Sequence, residues 1–199
     1  MTSVLPPDTS RLAPWLESNV PGFIGYQSIE KFSTGQSNPT YLVTARSGRY
    51  VLRRKPSGQL LKSAHAVDRE YRIMQALGNT SVPVPQMHTL CEDDDIFDTM
   101  FYIMSYVEGR IFWDPSLPKL TTSDRGNLYN EIIRVLAELH SVDHVAVGLE
   151  DYGRPGSYFD RQVGRWSKQY RASETEQIEA REHLMNWRQL HYPPDDAQN

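Results

Sequence analysis

The sequence predicts an α+β fold, an antiparallel sheet carrying a single helix, followed by a stretch that is helical throughout. Three observations predict it. Between Ile29 and Arg54 apolar and polar residues alternate in short runs broken by small polar loops, the pattern of half-buried strands. One amphipathic segment interrupts the strands, with Val67, Tyr71 and Met74 at helical spacing. After Gly109 the spacing becomes helical and stays so.

Each element follows in order. Residues 8–20 read as a short helix, with Asp8 or Ser10 as N-cap and Leu12, Trp15 and Leu16 on one face. Strands are expected near 27–33, 39–45 and 49–54, separated by the polar loop FSTGQSN and by a Ser47-Gly48 turn. Pro56-Ser57-Gly58 breaks the chain, and the helix that follows, about 64–77, has Gly78 placed to cap its C-terminus. The run Val82-Pro-Val-Pro85 is extended because each proline restricts the residue before it. Strands near 86–91 and 100–107 flank an acidic turn from Glu92 to Asp95. Thr121 or Thr122 caps a helix over Ser123 to His140, whose apolar stripe is Leu128, Ile132, Val135, Leu136 and Leu139. Two more helices are expected near 157–171 and 174–190, with Ser173-Glu-Thr-Glu176 fitting a capping box for the last.

Composition narrows the function classes. The 199 residues suffice for one good-sized domain or two small lobes. A net charge of −4 argues against bulk-charge binding to nucleic acid or an anionic membrane. The single cysteine, Cys91, excludes an internal disulfide framework and a cysteine-rich metal site, and a reducing, intracellular setting is the simplest inference. The cytoplasm comes first, with mitochondria and peroxisomes left open. No apolar run is long enough to span a bilayer, and MTSVLPPDTSRLAPW lacks the order of a secretory signal.

Three segments could carry chemistry. In the strand Tyr50-Val-Leu-Arg53, alternation places Val51 and Arg53 on one face and Tyr50, Leu52 and Arg54 on the other. A nucleotide against the first face would meet a small apolar residue and a guanidinium able to grip phosphate oxygens bidentately. In Asp68-Arg-Glu70-Tyr-Arg72, a carboxylate on a helix behind that strand could hold the arginine. In Tyr102-Ile-Met-Ser-Tyr-Val-Glu-Gly109, a strand running into a connector exposes backbone groups able to read an adenine edge. Taken singly, each has a commoner structural explanation: a surface arginine, a solvated helix face, a core strand entering a loop.

In combination they are specific. The order of loop, cationic third strand, helix with Glu, two further strands, connector and a helix ending Leu136-Ala-Glu-Leu-His140 is that of a protein-kinase-like fold. The stretches STGQSN, YVLR, DREYRIMQAL, VPVP, YIMSYVEG and LAELHSVD resemble the aminoglycoside phosphotransferase family, also called the phosphotransferase enzyme family. Within it, GQSNPTYLV, EGRIFWDPSLP and RQVGRWSKQYRASET resemble the kinase-like domains that precede an acyl-CoA dehydrogenase in some large chains. The resemblance covers nearly everything after residue 25. It implies an N-terminal helical extension at 1–25, a kinase-like N-lobe at 26–107 and a helical C-lobe at 108–199. It also implies a nucleotide site. Gly35, Gln36, Ser37 and Asn38 would cover the phosphates, and Val51 and Arg53 would face the nucleotide, with Arg53 standing where lysine is usual. Glu70 would pair with Arg53, and backbone groups of Ser105 and Val107 would meet the adenine. ATP is the expected nucleotide, with a small-molecule hydroxyl as acceptor and Mg²⁺ as the metal.

The resembled family carries its catalytic aspartate and metal asparagine in a His-Gly-Asp-(four residues)-Asn loop with a metal aspartate downstream, and this sequence contains no such loop. His140-Ser-Val-Asp143 has the wrong spacing, with Gly148 where asparagine is required, and Asp151-Tyr-Gly153 lies too close to it to serve as the metal motif. No catalytic residue and no metal ligand is therefore assigned. The expectation is a small-molecule kinase domain truncated before its catalytic loop and inactive alone, with an incomplete C-lobe that leaves faces such as Leu136 and Trp166 without partners. The alternatives are a non-catalytic nucleotide-binding or protein-interaction module and, more plainly, a scaffold with no nucleotide role.

Overall fold

A computed structural model describes residues 9–33, 38–58, 66–153 and 156–191. Contacts divide the chain into two compact units that meet at Leu149/Glu150, and each is described by itself.

The first unit contains α1 (Leu12–Asn19), β1 (Tyr26–Lys31), β2 (Thr40–Ala45), β3 (Gly48–Arg54), α2 (Val67–Leu77), β4 (Met87–Cys91), α3 (Asp94–Phe97), β5 (Phe101–Ser105) and α4 (Thr122–His140). The strands form one sheet in the order β1-β2-β3-β5-β4, every neighbouring pair antiparallel. The expected α+β lobe is present, with β3 at its centre. A central strand is covered on both faces, which is why Tyr50, Val51 and Leu52 are buried in succession while neighbouring β2 alternates.

The main apolar core lies on one face of the sheet. Tyr41 and Val43 of β2, Tyr50 and Leu52 of β3, and Phe101 and Ile103 of β5 point to that side and meet Leu12 and Leu16 of α1, both 0% exposed. Trp15 meets Phe101 edge-on at 5.1 Å, and Phe97 lies between Tyr41 and Phe101 at 5.6 and 5.9 Å. Burying each such leucine contributes about 1.5–3 kcal/mol. Arg54 also lies on this face. Its Nη1 donates to the Phe97 carbonyl and to Asp98, and its guanidinium stacks over the Phe97 ring at 5.1 Å. Helix α2 packs against β4 and β5.

Several local expectations need correction. The acidic turn is the short helix α3, capped by Asp93, whose side chain accepts from the Asp95 amide. Helix α1 starts at Leu12 with Arg11 at the N-cap position and no side-chain cap, so Ser10 does not cap it; Asp8 lies outside the described residues. Gly78 is the C-cap of α2 as expected, but its φ of −59° is right-handed and open to any residue. Of the two threonines, Thr121 caps α4, accepting from the Asp124 amide and donating to its carboxylate.

The second unit holds α5 (Tyr158–Ala172) and α6 (Glu179–Leu190), tied by Arg171–Glu182 at 3.0 Å and by Arg181 over the Tyr170 ring. The apparent capping box does not open α6. Ser173 closes α5 instead, its hydroxyl donating back to the Gln169 and Tyr170 carbonyls, and α6 begins at Glu179 with Ile178 at the N-cap position, five residues after Ser173. Among the described residues no helix is long and apolar enough to cross a membrane.

Candidate functional site

The face of the sheet opposite the main core carries the residues singled out above. Strand register sets them out in a row. Thr40 of β2 is opposite Arg53 of β3, and Arg53 is opposite Tyr102 of β5, so all three side chains leave the same face side by side. Val51 lies two residues back on that face, between Leu42 and Met104. Consecutive arginines thus serve different ends: Arg54 goes into the core side and Arg53 into this site.

Helix α2 brings Glu70 over the row. Arg53 donates from Nε to Glu70 Oε2 at 2.7 Å and from Nη1 to Thr40 Oγ1 at 3.1 Å. Tyr102 donates its hydroxyl to the same Glu70 oxygen at 3.1 Å, and Asn38 Nδ2 donates to Glu70 Oε1 at 2.9 Å. Thr40 in turn donates to the Asn38 carbonyl at 3.1 Å. The bonds close a ring, Asn38–Glu70–Arg53–Thr40–Asn38, with Tyr102 attached from the neighbouring strand. Asn38 is 3% exposed and Tyr102 1%. Burial, reinforced by the Glu70 carboxylate beside it, pushes the Tyr102 phenol well above its ordinary range, so it stays a donor at any physiological pH. Arg53 is partly open to solvent, and among the described residues no partner is recorded for its Nη2, which leaves a cationic N–H available at the edge of the row.

The remaining predicted residues fall at the end of β5 and beyond. Ser105 pairs with Tyr50, one step along the ladder from Val51–Met104. Its amide donates to Gln86 O at 2.8 Å and is therefore taken, which removes it from the expected adenine contact. Val107 is 67% exposed in the connector, and none of its backbone groups has a recorded partner among the described residues. Arg49 pins this connector, pairing with Glu108 at 3.3 Å and stacking over Tyr106 at 4.3 Å. Gly35, Gln36 and Ser37 lie outside the described residues. Sequence reasoning missed Thr40 and Tyr102; only the strand register brings them to Arg53. The discounted Asp143 terminates α4's exit, accepting from the Val145 and Ala146 amides. Among the described residues no three His, Cys, Asp or Glu side chains cluster in a way that could hold a metal ion.

A five-stranded antiparallel sheet with an arginine on its third strand held by a glutamate on the single sheet-packed helix defines a kinase-like fold, its helical portion present in part. The profile of the phosphotransferase enzyme family matches residues 28–198, and the chain belongs to that family. A crystal structure of a Ralstonia eutropha protein assigned as an aminoglycoside phosphotransferase superimposes with a TM-score of 0.80 at 47% identity, over 96% of this chain and 56% of that one. Acyl-CoA dehydrogenase family member 10 of Mus musculus is 49% identical over 183 residues, covering 89% of this chain and 17% of the relative. Acyl-CoA dehydrogenase family member 11 of Gallus gallus is 42% identical over 193 residues, covering 95% of this chain and 25% of the relative. The chain thus spans a quarter or less of these curated relatives.

Proposed function

We propose that this chain supplies the ATP-binding part of a small-molecule kinase domain that phosphorylates a hydroxyl group. The observation that carries the reading is the Arg53–Glu70 pair, 2.7 Å long and fixed by three further hydrogen bonds. A guanidinium already oriented before ligand arrives has less freedom to lose on gripping phosphate oxygens. Its Nη2, which has no partner among the described residues, suits that contact, Val51 offers a small apolar surface for the base, and the Ser105 carbonyl and Val107 amide suit the adenine edge. Gly35, Gln36, Ser37 and Asn38 belong to the loop proposed to cover the phosphates.

The acceptor we favour is hydroxyacyl-CoA-like, because relatives of this chain are named for acyl-CoA dehydrogenases. Transfer itself needs a proton acceptor and Mg²⁺ ligands. The sequence lacks the family's loop for them, and the described residues offer no metal cluster, so within these 199 residues the proposal assigns nucleotide binding and no turnover. A non-catalytic nucleotide-binding role for the chain by itself is the second reading, favoured by the same absence of that loop.

Calorimetric titration of the full chain with ATP, with and without Mg²⁺, tests the proposal. Saturable binding is expected, weakened roughly tenfold or more in Arg53→Ala because a charge-assisted bond to phosphate is lost. A chain that does not bind ATP, or an Arg53→Ala variant that binds as well as the parent, refutes it.

A further inference from the structure

We propose that Asn38 and Tyr102 are positioning residues for the nucleotide: they act on it through Glu70, whose carboxylate they hold against Arg53, and the inference rests on the nucleotide reading above. Each oxygen of Glu70 has its own task. Oε1 takes the amide of Asn38, which enters from the start of β2, and Oε2 takes Arg53 Nε and the Tyr102 hydroxyl. A carboxylate on one flexible helical side chain could face its arginine in several rotamers. With three donors fixed on three different strands or loops, only one remains.

The ring also fixes Arg53 from its far side. Thr40 accepts from Nη1 and is itself oriented by donating to the Asn38 carbonyl, so the backbone at residue 38 and the guanidinium are linked by two routes. Two of the five guanidinium N–H groups are thereby spent on orientation, and among the described residues Nη2 has no partner. Asn38 is well suited to this task because its amide is a neutral donor. An aspartate there would set carboxylate against carboxylate. Among the described residues the charged and titratable side chains bonded to Glu70 are Arg53 of β3 and the Tyr102 phenol of β5.

The pH response of an introduced carboxylate separates positioning from mere packing. ATP is titrated into the full chain, its Tyr102→Phe variant and its Asn38→Asp variant at pH 8 and pH 5.5, with thermal unfolding of each as a check that it is folded. Tyr102→Phe removes one oxygen from a buried ring and is expected to weaken ATP binding about fivefold at both pH values. Asn38→Asp is expected to weaken it more than about tenfold at pH 8. Its deficit relative to the parent should shrink severalfold at pH 5.5, where a proton shared by the two facing carboxylates restores one hydrogen bond. Variants that both bind within twofold of the parent overturn the inference while leaving the nucleotide reading intact. A pH-independent deficit in Asn38→Asp overturns it for Asn38. Should that variant not fold, Tyr102→Phe decides alone. A parent chain without ATP affinity overturns the nucleotide reading and this inference with it.

Discussion

Replacing Glu70 is the most informative single perturbation of this chain, because donors from three separate segments converge on its carboxylate. In Glu70→Ala, the Asn38 amide and the Tyr102 hydroxyl lose their acceptor while remaining buried. A buried donor left unsatisfied costs about 1–3 kcal/mol. Arg53 is partly exposed and regains water, so its loss adds at most about 1 kcal/mol. Water entering the space left by the side chain recovers part of this, and the expected net loss is about 2–4 kcal/mol. That is a large share of the roughly 5–15 kcal/mol that holds a domain folded. Glu70→Gln should cost far less, about 1 kcal/mol, because its carbonyl can still accept from Arg53 and Tyr102 while its NH₂ meets a flipped Asn38 amide. Urea denaturation followed through the near-ultraviolet signal of Trp15, packed edge-on to Phe101, reads the unit concerned. At an m-value of about 2 kcal/mol/M, the alanine midpoint should fall by roughly 1–2 M and the glutamine midpoint by about 0.5 M. An alanine variant within about 0.3 M of the parent, or a glutamine variant as damaged as the alanine one, would refute the idea that these hydrogen bonds hold the site.

Two further outcomes follow from the same geometry. Leu16→Ala, at a fully buried contact of α1 with the sheet, should cost about 2–5 kcal/mol, whereas Ile132→Ala on the exposed stripe of α4 should change stability by less than about 0.5 kcal/mol; equal midpoints in urea for the two would place the core elsewhere. Tyr102 supplies a pH dependence. Its folded phenol titrates above the unfolded value near 10, so above pH 10 the unfolded chain loses this proton while the folded chain keeps it. The Tyr102 contribution to stability should therefore be constant below pH 10 and decline as pH rises beyond it, and Tyr102→Phe should lessen the alkaline fall in urea midpoints measured from pH 9 to 11.

The strands and α2 were legible because alternation and helical spacing are properties of the chain itself. The faces of β3 were legible too: Val51 and Arg53 do share one side and Arg54 does take the other. What alternation does not give is which helix lies over which face. Leu12, Trp15 and Leu16 announced an apolar stripe, but nothing in their spacing says that α1 covers the Leu52 side and leaves the Arg53 side to Glu70. The capping box at Ser173 failed for a different reason, since the same hydroxyl can accept from a helix beginning or donate to a helix ending, and in this chain the end of α5 takes it.

The hydrogen-bonded ring was hidden by a single residue. Strands at 39–45 and 49–54 around a Ser47-Gly48 turn leave three residues in the loop and would set Thr40 opposite Arg54. The actual hairpin turns on Arg46 and Ser47 alone, pairing Ala45 with Gly48, whose φ of +146° is open to glycine and strained for other residues. That shift of one residue moves Thr40 opposite Arg53, and with period-two side chains it decides which arginine meets which face. Two-residue hairpins are the commonest kind, so this pairing could have been drawn from the turn. The β3–β5 pairing could not, because α2, β4 and α3 intervene between Arg53 and Tyr102 and no short loop constrains their register. Asn38 could be placed in the polar loop FSTGQSN from sequence. That its side chain turns inward to Glu70 follows from a contact between residues 32 positions apart, made on a helix whose own sequence reads equally well as a solvated charged face.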